Sequence, residues 1–276
     1  MEDNLLVMVA PSIPPYLAKD IPGLDLSPQG IAQEVVRSYN AGANIVHLHV
    51  WDDHGQPTTD LEAFKKTLLL IREQCDIIIE GSTGGINSLT VAERCVSLQA
   101  DIEMASLNPG SVNYDAGVYI NSPEDIQFWA RKMTERNIKA DNAIFEPGMI
   151  ANTIALTETG MLAQPLFFSF VLGQRGAFPA TPKNLFFLSE LVPAGSFFMV
   201  AAHDRQDLRF GVLSMTLGGH VRGGFEDNPY YSAGEPAPSN AQLIERVVGI
   251  ARQLGREPAT PAKARQMLHL ADRTVG

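Results

Sequence analysis

The stretch Ala43-Asn-Ile-Val-His-Leu-His-Val50 decides the fold, because it shows in one place a pattern that recurs along the whole chain. It is a short apolar run without clean polar–apolar alternation, as in parallel strands that are buried on both faces. Seven similar runs follow or precede it. The predicted strands are residues 5–10, 45–50, 77–81, 102–107, 143–146, 166–172, 197–202 and 219–225.

Segments with helical signals separate these runs. Ser27-Pro28 combines a preferred N-cap residue with a proline at the first helical position, and Ser122-Pro123 is followed by two acidic residues in the first turn. Ser239 to Gln242 resembles a capping box. The other predicted helices cover residues 60–74, 149–162, 182–192 and 205–217, and a last one follows Pro261.

Eight β–α units in about 250 residues predict a (β/α)₈ barrel, built as a single domain over residues 1–276. A doubly wound parallel sheet is the alternative architecture. It lacks support, because no Gly-x-Gly-x-x-Gly follows the first predicted strand and no Walker-type lysine loop occurs.

Composition narrows the class of protein. The formal net charge of −10 disfavours a nucleic-acid-binding surface, which needs clustered Lys and Arg. The chain has only two cysteines and no Cys-x-x-Cys, which indicates a reducing cytoplasm. Its longest apolar runs are far too short to cross a bilayer. We therefore expect a cytoplasmic protein without a nucleic-acid or membrane partner.

His47 and His49 end the second predicted strand. Alternate residues of a strand point to the same face, so the two imidazoles should project together. Two imidazoles completed by a distant carboxylate make the open three-ligand site that catalytic zinc uses. The competing interpretation is a pair of core histidines that are satisfied by hydrogen bonds.

The second polar feature is Arg222-Gly-Gly-Phe-Glu-Asp-Asn228, at the end of the eighth predicted strand. Arg222 and Glu226 share parity and tend to the same face if the strand stays regular. Taken alone, the segment could be a solvated cluster of ion pairs. Joined to the two histidines, Glu226 is the natural third ligand, Asp227 a candidate general base and Arg222 a carboxylate clamp. Glu80 is the reserve metal ligand.

Two further strand ends offer hydrogen-bond donors for a substrate. Ser82-Thr83-Gly84-Gly85 follows the third predicted strand, and its backbone N–H groups and hydroxyls can bind an anion. A plain tight turn explains this motif equally well. After the fourth predicted strand, Ser106 and Asn108 are candidate substrate-binding residues.

Arg175 and Arg205 follow the sixth and seventh predicted strands. Both are candidates for binding the phosphates of an anionic cofactor. As surface residues they would be equally ordinary.

These segments together resemble those of the β-keto acid cleavage enzymes, a family named after 3-keto-5-aminohexanoate cleavage. Each segment is a weak signal alone, but their order and spacing extend over most of the chain. The matching stretches are residues 42–49, 82–85, 103–108, 145–149, 218–228, 239–241 and 259–261.

The resemblance implies a metal-dependent (β/α)₈ barrel that condenses a β-keto acid with acetyl-CoA and splits the product into acetoacetate and a new acyl-CoA. It implies that His47, His49 and Glu226 bind Zn²⁺ or another divalent metal. Asp227 and Arg222 take proton-transfer and orienting roles, and Ser82 and Ser106 contact the substrate. Assembly into a homo-oligomer, a dimer or tetramer, is expected.

Three sites depart from the pattern of the family. Trp51 stands where members usually carry Arg, and residues 11–16 replace a small turn after the first strand. His203-Asp204 replaces a Gly-Arg pair, and His203 could take part in the chemistry. Because these sites surround the expected pocket, the bulky Trp51 and the proline-rich turn favour a larger or more apolar acyl group without an amine.

Other protein classes remain possible on sequence alone. An amidohydrolase-type zinc barrel has its histidine pair on the first strand, whereas residues 5–10 precede His47 here. A metal-dependent aldolase, lyase or hydrolase could act on a keto acid with the same ligands but without CoA. A non-catalytic binding barrel would need no metal.

Overall fold

Eight parallel strands close into a barrel in the computed structural model, which describes residues 3–13, 21, 23–84, 89–114, 117–203 and 208–271. Each strand pairs with its sequence neighbour, and the eighth strand closes the barrel against the first. This confirms the predicted (β/α)₈ architecture. The barrel strands, labelled β1 to β8, are Val7–Val9, Ile45–Leu48, Ile78–Gly81, Met104–Leu107, Lys139–Ile144, Phe167–Leu172, Phe197–Ala202 and His220–Gly223.

The helices begin where the sequence signals predict. Ser27, Ser122 and Ser239 each accept a hydrogen bond from a backbone N–H of the first turn, which satisfies a donor that the helix itself cannot. None of the helices within the described ranges is long and apolar enough to cross a membrane. The helices, labelled α1 to α8, are Pro28–Asn40, Leu61–Arg72, Pro123–Glu135, Gly148–Glu158, Pro182–Leu191, Arg209–Thr216, Asn240–Gln253 and Pro261–Leu268.

The third β–α unit departs from the regular repeat. In the described part of this unit, a 3₁₀ helix over Glu93–Gln99 lies between β3 and β4. Cys95 has φ −111° and ψ 25°, which are not helical values, so the 3₁₀ helix is kinked there.

Strand β5 begins four residues earlier than the predicted 143–146. The apolar pattern does not predict residues 139–142 as strand, because Lys139, Asp141 and Asn142 make this part polar. Both Asp141 and Asn142 are buried, and the Asn142 side-chain amide donates to the backbone oxygen of Phe167 at 2.9 Å. The polar residues therefore lie in a strand because the barrel supplies partners for them.

Strand β8 ends at Gly223, although residues 219–225 were predicted as strand. Gly224 has φ 132°, which side chains rarely adopt, and a Cβ on it would lie 2.4 Å from the backbone oxygen of Ala10. The chain therefore turns sharply at Gly224 and passes over the end of β1. This turn, rather than strand parity, delivers Glu226 to the barrel mouth.

The interior of the barrel is layered from apolar to polar. A bottom layer of apolar side chains packs against Ala264, Met267 and Leu268 of α8, which plugs this end. On β2, β3, β4 and β6 the inward position two residues further along is polar, because side chains of a strand return to the same face every second residue. The apolar layer contains Met8, Ile45, Ile78, Met104, Phe167 and Met199, and the polar layer contains His47, Glu80, Ser106, Asp141 and Ser169. The polar layer lies toward the carboxyl ends of the strands, where barrels of this type have their active sites.

Candidate active site

The three predicted metal ligands converge at the mouth of the barrel. The Nε2 atoms of His47 and His49 lie 3.3 Å apart, and they lie 3.6 and 3.5 Å from the two carboxylate oxygens of Glu226. Ligand atoms about 2.0–2.2 Å from one tetrahedral Zn²⁺ are separated by roughly 3.3–3.5 Å. The spacing and the two-nitrogen, one-carboxylate donor set therefore fit a divalent metal that keeps one coordination position open.

Each ligand is positioned by the backbone before it. His47 lies on β2, and His49 follows directly after this strand. The backbone N–H of Glu226 donates to the oxygen of Ala10 at 3.2 Å, beyond the turn at Gly224. The hydroxyl of Ser12 donates to Glu226 at 3.0 Å. Ser12 is not among the predicted site residues, although a polar residue just after β1 indicates a place at the barrel mouth.

Glu80 lies behind His47 rather than among the metal ligands. Its carboxylate is 2.5 Å from His47 Nδ1, so it fixes the orientation of the ring and directs Nε2 toward the metal position. Burial, followed by the charge of Arg222, lowers the pKa of His47 to about 3. The imidazole is therefore neutral at physiological pH, which is the form that binds a metal.

Glu80 in turn contacts a second buried acid that the sequence analysis missed. Its carboxyl group lies beside that of Asp141, which also accepts a hydrogen bond from the hydroxyl of Ser169 at 2.6 Å, and each of the two acids has one buried oxygen for which no hydrogen-bond partner is found among the described residues. Burial raises the pKa of Glu80 to about 7. Burial and the charge of Glu80 hold the pKa of Asp141 well above its usual value. A hydrogen bond between two carboxyl groups requires a proton on one of them.

Arg222 binds both acidic residues of the late segment. Its Nε and Nη2 donate to the two carboxylate oxygens of Asp227 at 2.7 and 3.0 Å, and Nη2 also donates to Glu226 at 2.7 Å. Burial alone would raise the pKa of Glu226, but its positively charged surroundings, which include the guanidinium of Arg222, outweigh it and hold that pKa well below the usual value. Glu226 is thus arranged to act as a carboxylate.

His203 faces Asp227 from the end of β7. Its Nε2 lies 3.9 Å from an Asp227 carboxylate oxygen, and its side chain is largely buried. The predicted position of His203 near the barrel mouth is therefore observed.

The loop after β3 passes directly beside His49, one of the three candidate metal ligands. Gly84 N–H donates to the hydroxyl of Ser82, and Thr83 N–H donates to the hydroxyl of Ser106, both at 3.0 Å. The Thr83 hydroxyl donates to the backbone oxygen of Ser106 at 2.5 Å and joins the two strand ends. A Cβ on Gly84 would lie 3.8 Å from His49 Cε1. The serine hydroxyls and the backbone of this loop thus border the space above the metal position.

The other predicted residues lie further out. Asn108 donates to the hydroxyl of Tyr119 at 3.4 Å, and the buried Trp51 forms a backbone bridge with Pro57. Arg175 is exposed in the loop between β6 and α5. Arg205, Gly85 and the proline-rich turn after Ile13 fall outside the described residues.

The arrangement suits proton transfer on a small anionic substrate. An open metal position, a carboxylate clamped by a guanidinium and a row of hydroxyl and N–H donors face one another across the barrel mouth. Such a set can polarise oxygen atoms, remove a proton from carbon and bind a negative charge.

Known proteins are similar in sequence to this chain over most of its length. A family model described as beta-keto acid cleavage enzyme matches residues 6–270. A 3-keto-5-aminohexanoate cleavage enzyme of Fusobacterium nucleatum is 41% identical over 251 residues, which are 90% of this chain and 92% of that protein. A 3-oxoadipate:acetyl-CoA acetyltransferase of Cupriavidus necator is 34% identical over 257 residues, covering 91% and 90% of the two chains.

Solved structures show the same fold at low sequence identity. The structure titled ternary complex of ObcA with C4-CoA adduct and oxalate superimposes with a TM-score of 0.75 at 18% identity. The match covers 90% of this chain and 68% of that one.

Proposed function

The chain belongs to the β-keto acid cleavage enzyme family, and we propose that it condenses a β-keto acid with acetyl-CoA and cleaves the adduct to acetoacetate and a new acyl-CoA. The observation that carries this proposal is the three-ligand set of His47, His49 and Glu226 beside the Arg222–Asp227 pair. Several relatives are named as acetyl-CoA-dependent transferases, which supports acetyl-CoA as the co-substrate.

In the proposed reaction, C2 of the β-keto acid forms a new bond to the acetyl carbonyl carbon and loses its bond to the original keto carbon. In the β-keto acid, C2 lies between the keto and carboxylate carbons, and its proton is the one that a base removes most easily. The resulting carbanion forms a bond to the acetyl carbonyl and expels the CoA thiolate. The thiolate then attacks the original keto carbon, the C2–C3 bond breaks, and C2 regains a proton. Acetoacetate and the new thioester balance all atoms.

His47, His49 and Glu226 would hold a divalent metal, with Zn²⁺ favoured by the nitrogen-rich donor set. When bound, such an ion supplies Lewis-acid stabilisation for negative charge on the keto and carboxylate oxygens of the substrate. Glu80 would keep His47 in the tautomer that presents Nε2 to the ion.

Asp227 is the proposed general base for C2. Its carboxylate receives two hydrogen bonds from Arg222, which fix its orientation. The same guanidinium also binds Glu226, so base and ligand share one rigid clamp. After cleavage, the protonated Asp227 would return the proton to C2, because the base of the first step is the acid of the last.

The loop after β3 and the end of β4 would bind the negative charge of the substrate. Ser82 and Gly84 border the space beside His49, and Ser106 lies next to them through Thr83. Asn108 extends this row of donors toward Tyr119. For acetyl-CoA, Arg175 and Arg205 remain the proposed phosphate contacts. Assembly into a homo-oligomer and a cytoplasmic location also stay predictions.

A panel of β-keto acids with acetyl-CoA tests the reaction, with acetoacetate formation as the readout. Turnover that needs no acetyl-CoA would favour an aldolase, lyase or hydrolase. In parallel, His49→Ala and Glu226→Gln should lose metal and activity while staying folded. Glu146→Gln, which alters an acid in the loop after β5, is the matched control and should keep both. Metal retained by Glu226→Gln would contradict the assigned ligand set.

A further inference from the structure

Lys139 lies at the amino end of the barrel, on the side opposite the candidate metal ligands. It is the first residue of β5 and pairs in register with Met104, which belongs to the apolar layer that packs against α8. The side chain is half-buried. Burial removes the water that stabilises an ammonium group, so a lysine in such surroundings usually pairs with an acid.

Lys139 forms no ion pair with any residue that the structure describes. Its Nζ donates to the backbone oxygen of Ala163 at 3.1 Å, which is an uncharged acceptor. Three other lysines, with side chains between 42% and 47% exposed, each pair with a carboxylate. They are Lys65 with Glu62 at 2.8 Å, Lys66 with Asp53 at 2.6 Å and Lys132 with Glu135 at 2.9 Å. Lys139 thus differs from them in both burial and partner.

Lys139 also lines a cavity between the start of β5, the loop before β6 and the end of α8. The cavity has a volume of about 120 Å³. One water molecule occupies roughly 30 Å³ in the liquid, so the cavity has room for a small acyl group. Exposed residues, including Asn137 and Gln164, form part of its wall, so solvent reaches it. Among the described residues of the wall, His269 is the only other titratable one.

Burial without a counter-charge favours the neutral amine of Lys139, which is the nucleophilic form. Burial lowers the pKa of Lys139 from 10.5 to about 8. At pH 8 the neutral amine then makes up about half of the molecules, against about 0.3% for an ordinary lysine. A less basic amine is also a weaker nucleophile. If the relation known for thiols holds, the net gain in rate is on the order of tenfold.

We propose that Lys139 is a modification site that takes an acyl group from a CoA thioester. The amine nitrogen forms an amide bond to the acyl carbonyl carbon, the carbon–sulfur bond breaks, and CoA leaves as the thiolate. The amine proton passes to the solvent. The amide N–H can still donate to Ala163, and the uncharged acyl group lies in the cavity. This step uses no residue of the barrel mouth, so it goes beyond the proposed function and does not depend on it.

Incubation of the purified protein with acetyl-CoA alone at pH 8, followed by peptide mass spectrometry, tests the proposal. Lys183 is the matched control, because it is exposed on α5 and likewise forms no ion pair within the described part of the chain. Lys139 should be acetylated about tenfold faster than Lys183. Its rate should level off above about pH 8, whereas the rate at Lys183 should still rise toward about pH 10.

Two variants locate the reaction. Lys139→Arg removes the nucleophile and keeps the charge, so the acetylation found in the wild type at this position should disappear from the intact mass. Thermal melting checks its fold, and peptide mapping of the wild type carries the test if it is not folded. Asp227→Asn should acetylate Lys139 at the wild-type rate.

Equal rates at Lys139 and Lys183, or no acetyl group on Lys139, would overturn the inference. Loss of the modification in Asp227→Asn would also overturn it, because the step would then need the barrel mouth. The acetoacetate assay tests the proposed function separately, since a protein without turnover could still be acetylated at Lys139.

Discussion

Replacing Glu80 by Gln should weaken metal binding and stabilise the metal-free protein at the same time. Glu80 is fully buried, with one oxygen 2.5 Å from His47 Nδ1 and with Asp141 as its other carboxyl partner. Glutamine has almost the same shape. Its carbonyl can still accept from His47, and its amide can donate to Asp141, so the variant removes charge and leaves the contacts in place.

The stability effect follows from the direction of the pKa shift. Burial raises the pKa of Glu80 from 4.5 to about 7, so the unfolded chain releases this proton before the folded protein does. Protonated Glu80 therefore makes its full contribution to the unfolding free energy below pH 4.5, and this contribution is lost as the pH rises to about 7. This difference in pKa corresponds to a loss of unfolding free energy on the order of 3 kcal/mol. Metal-free Glu80→Gln lacks this loss and should exceed the wild type in unfolding free energy above pH 7.

The metal effect has the opposite sign. A carboxylate behind a histidine ligand raises the basicity of the ring and fixes its tautomer, and losing such a partner typically costs about 10- to 100-fold in metal affinity. The neutral amide of Glu80→Gln keeps the geometry but not the charge. We therefore expect Zn²⁺ affinity to fall within that range.

Two measurements test this pair of effects. Denaturant unfolding of the chelator-stripped protein between pH 4.5 and 8 gives the stability, and competition with a chromogenic chelator gives the Zn²⁺ affinity. Glu158→Gln, which alters an exposed acid at the end of α4, should follow the wild type in both. Unchanged Zn²⁺ affinity in Glu80→Gln would refute the role of Glu80 behind His47. An unchanged pH dependence would refute the assignment of the buried titration to Glu80.

Three further substitutions separate the parts of the site. Asp227→Asn should lower kcat by about 10²- to 10⁴-fold, as expected for a general base, while metal content by elemental analysis stays at the wild-type level. Ser12→Ala removes the hydroxyl that donates to Glu226 at 3.0 Å and should weaken Zn²⁺ binding by about tenfold in the chelator assay. Gly224→Ala places a Cβ 2.4 Å from the Ala10 oxygen at φ 132°, so thermal melting should show a loss of more than about 1 kcal/mol or no folded protein.

The features that the sequence predicted are local ones. A strand or a helix N-cap is encoded within a few residues, so the barrel and caps such as Ser27 and Ser122 are confirmed. The histidine pair was found because two residues of one strand share a face. Asp141 escaped detection because a polar run inside a strand is stable only when other strands supply its partners, here Ser169. Ser12 contacts Glu226 across the barrel mouth, and such a contact exists only after closure.

The division of the barrel into layers explains why one fold can keep a reaction and change its substrate. His47 and Glu80 pair across adjacent strands of the closed barrel, above an apolar floor that α8 seals. Side chains placed on packed strands hold their positions to within fractions of an ångström, as a metal site demands. Tyr119, in contrast, is carried by a β-hairpin of Val112–Tyr114 and Gly117–Tyr119, which contributes no strand to the barrel. A change in that hairpin can therefore alter one side of the barrel mouth without moving His47, Glu80 or the strands that hold them.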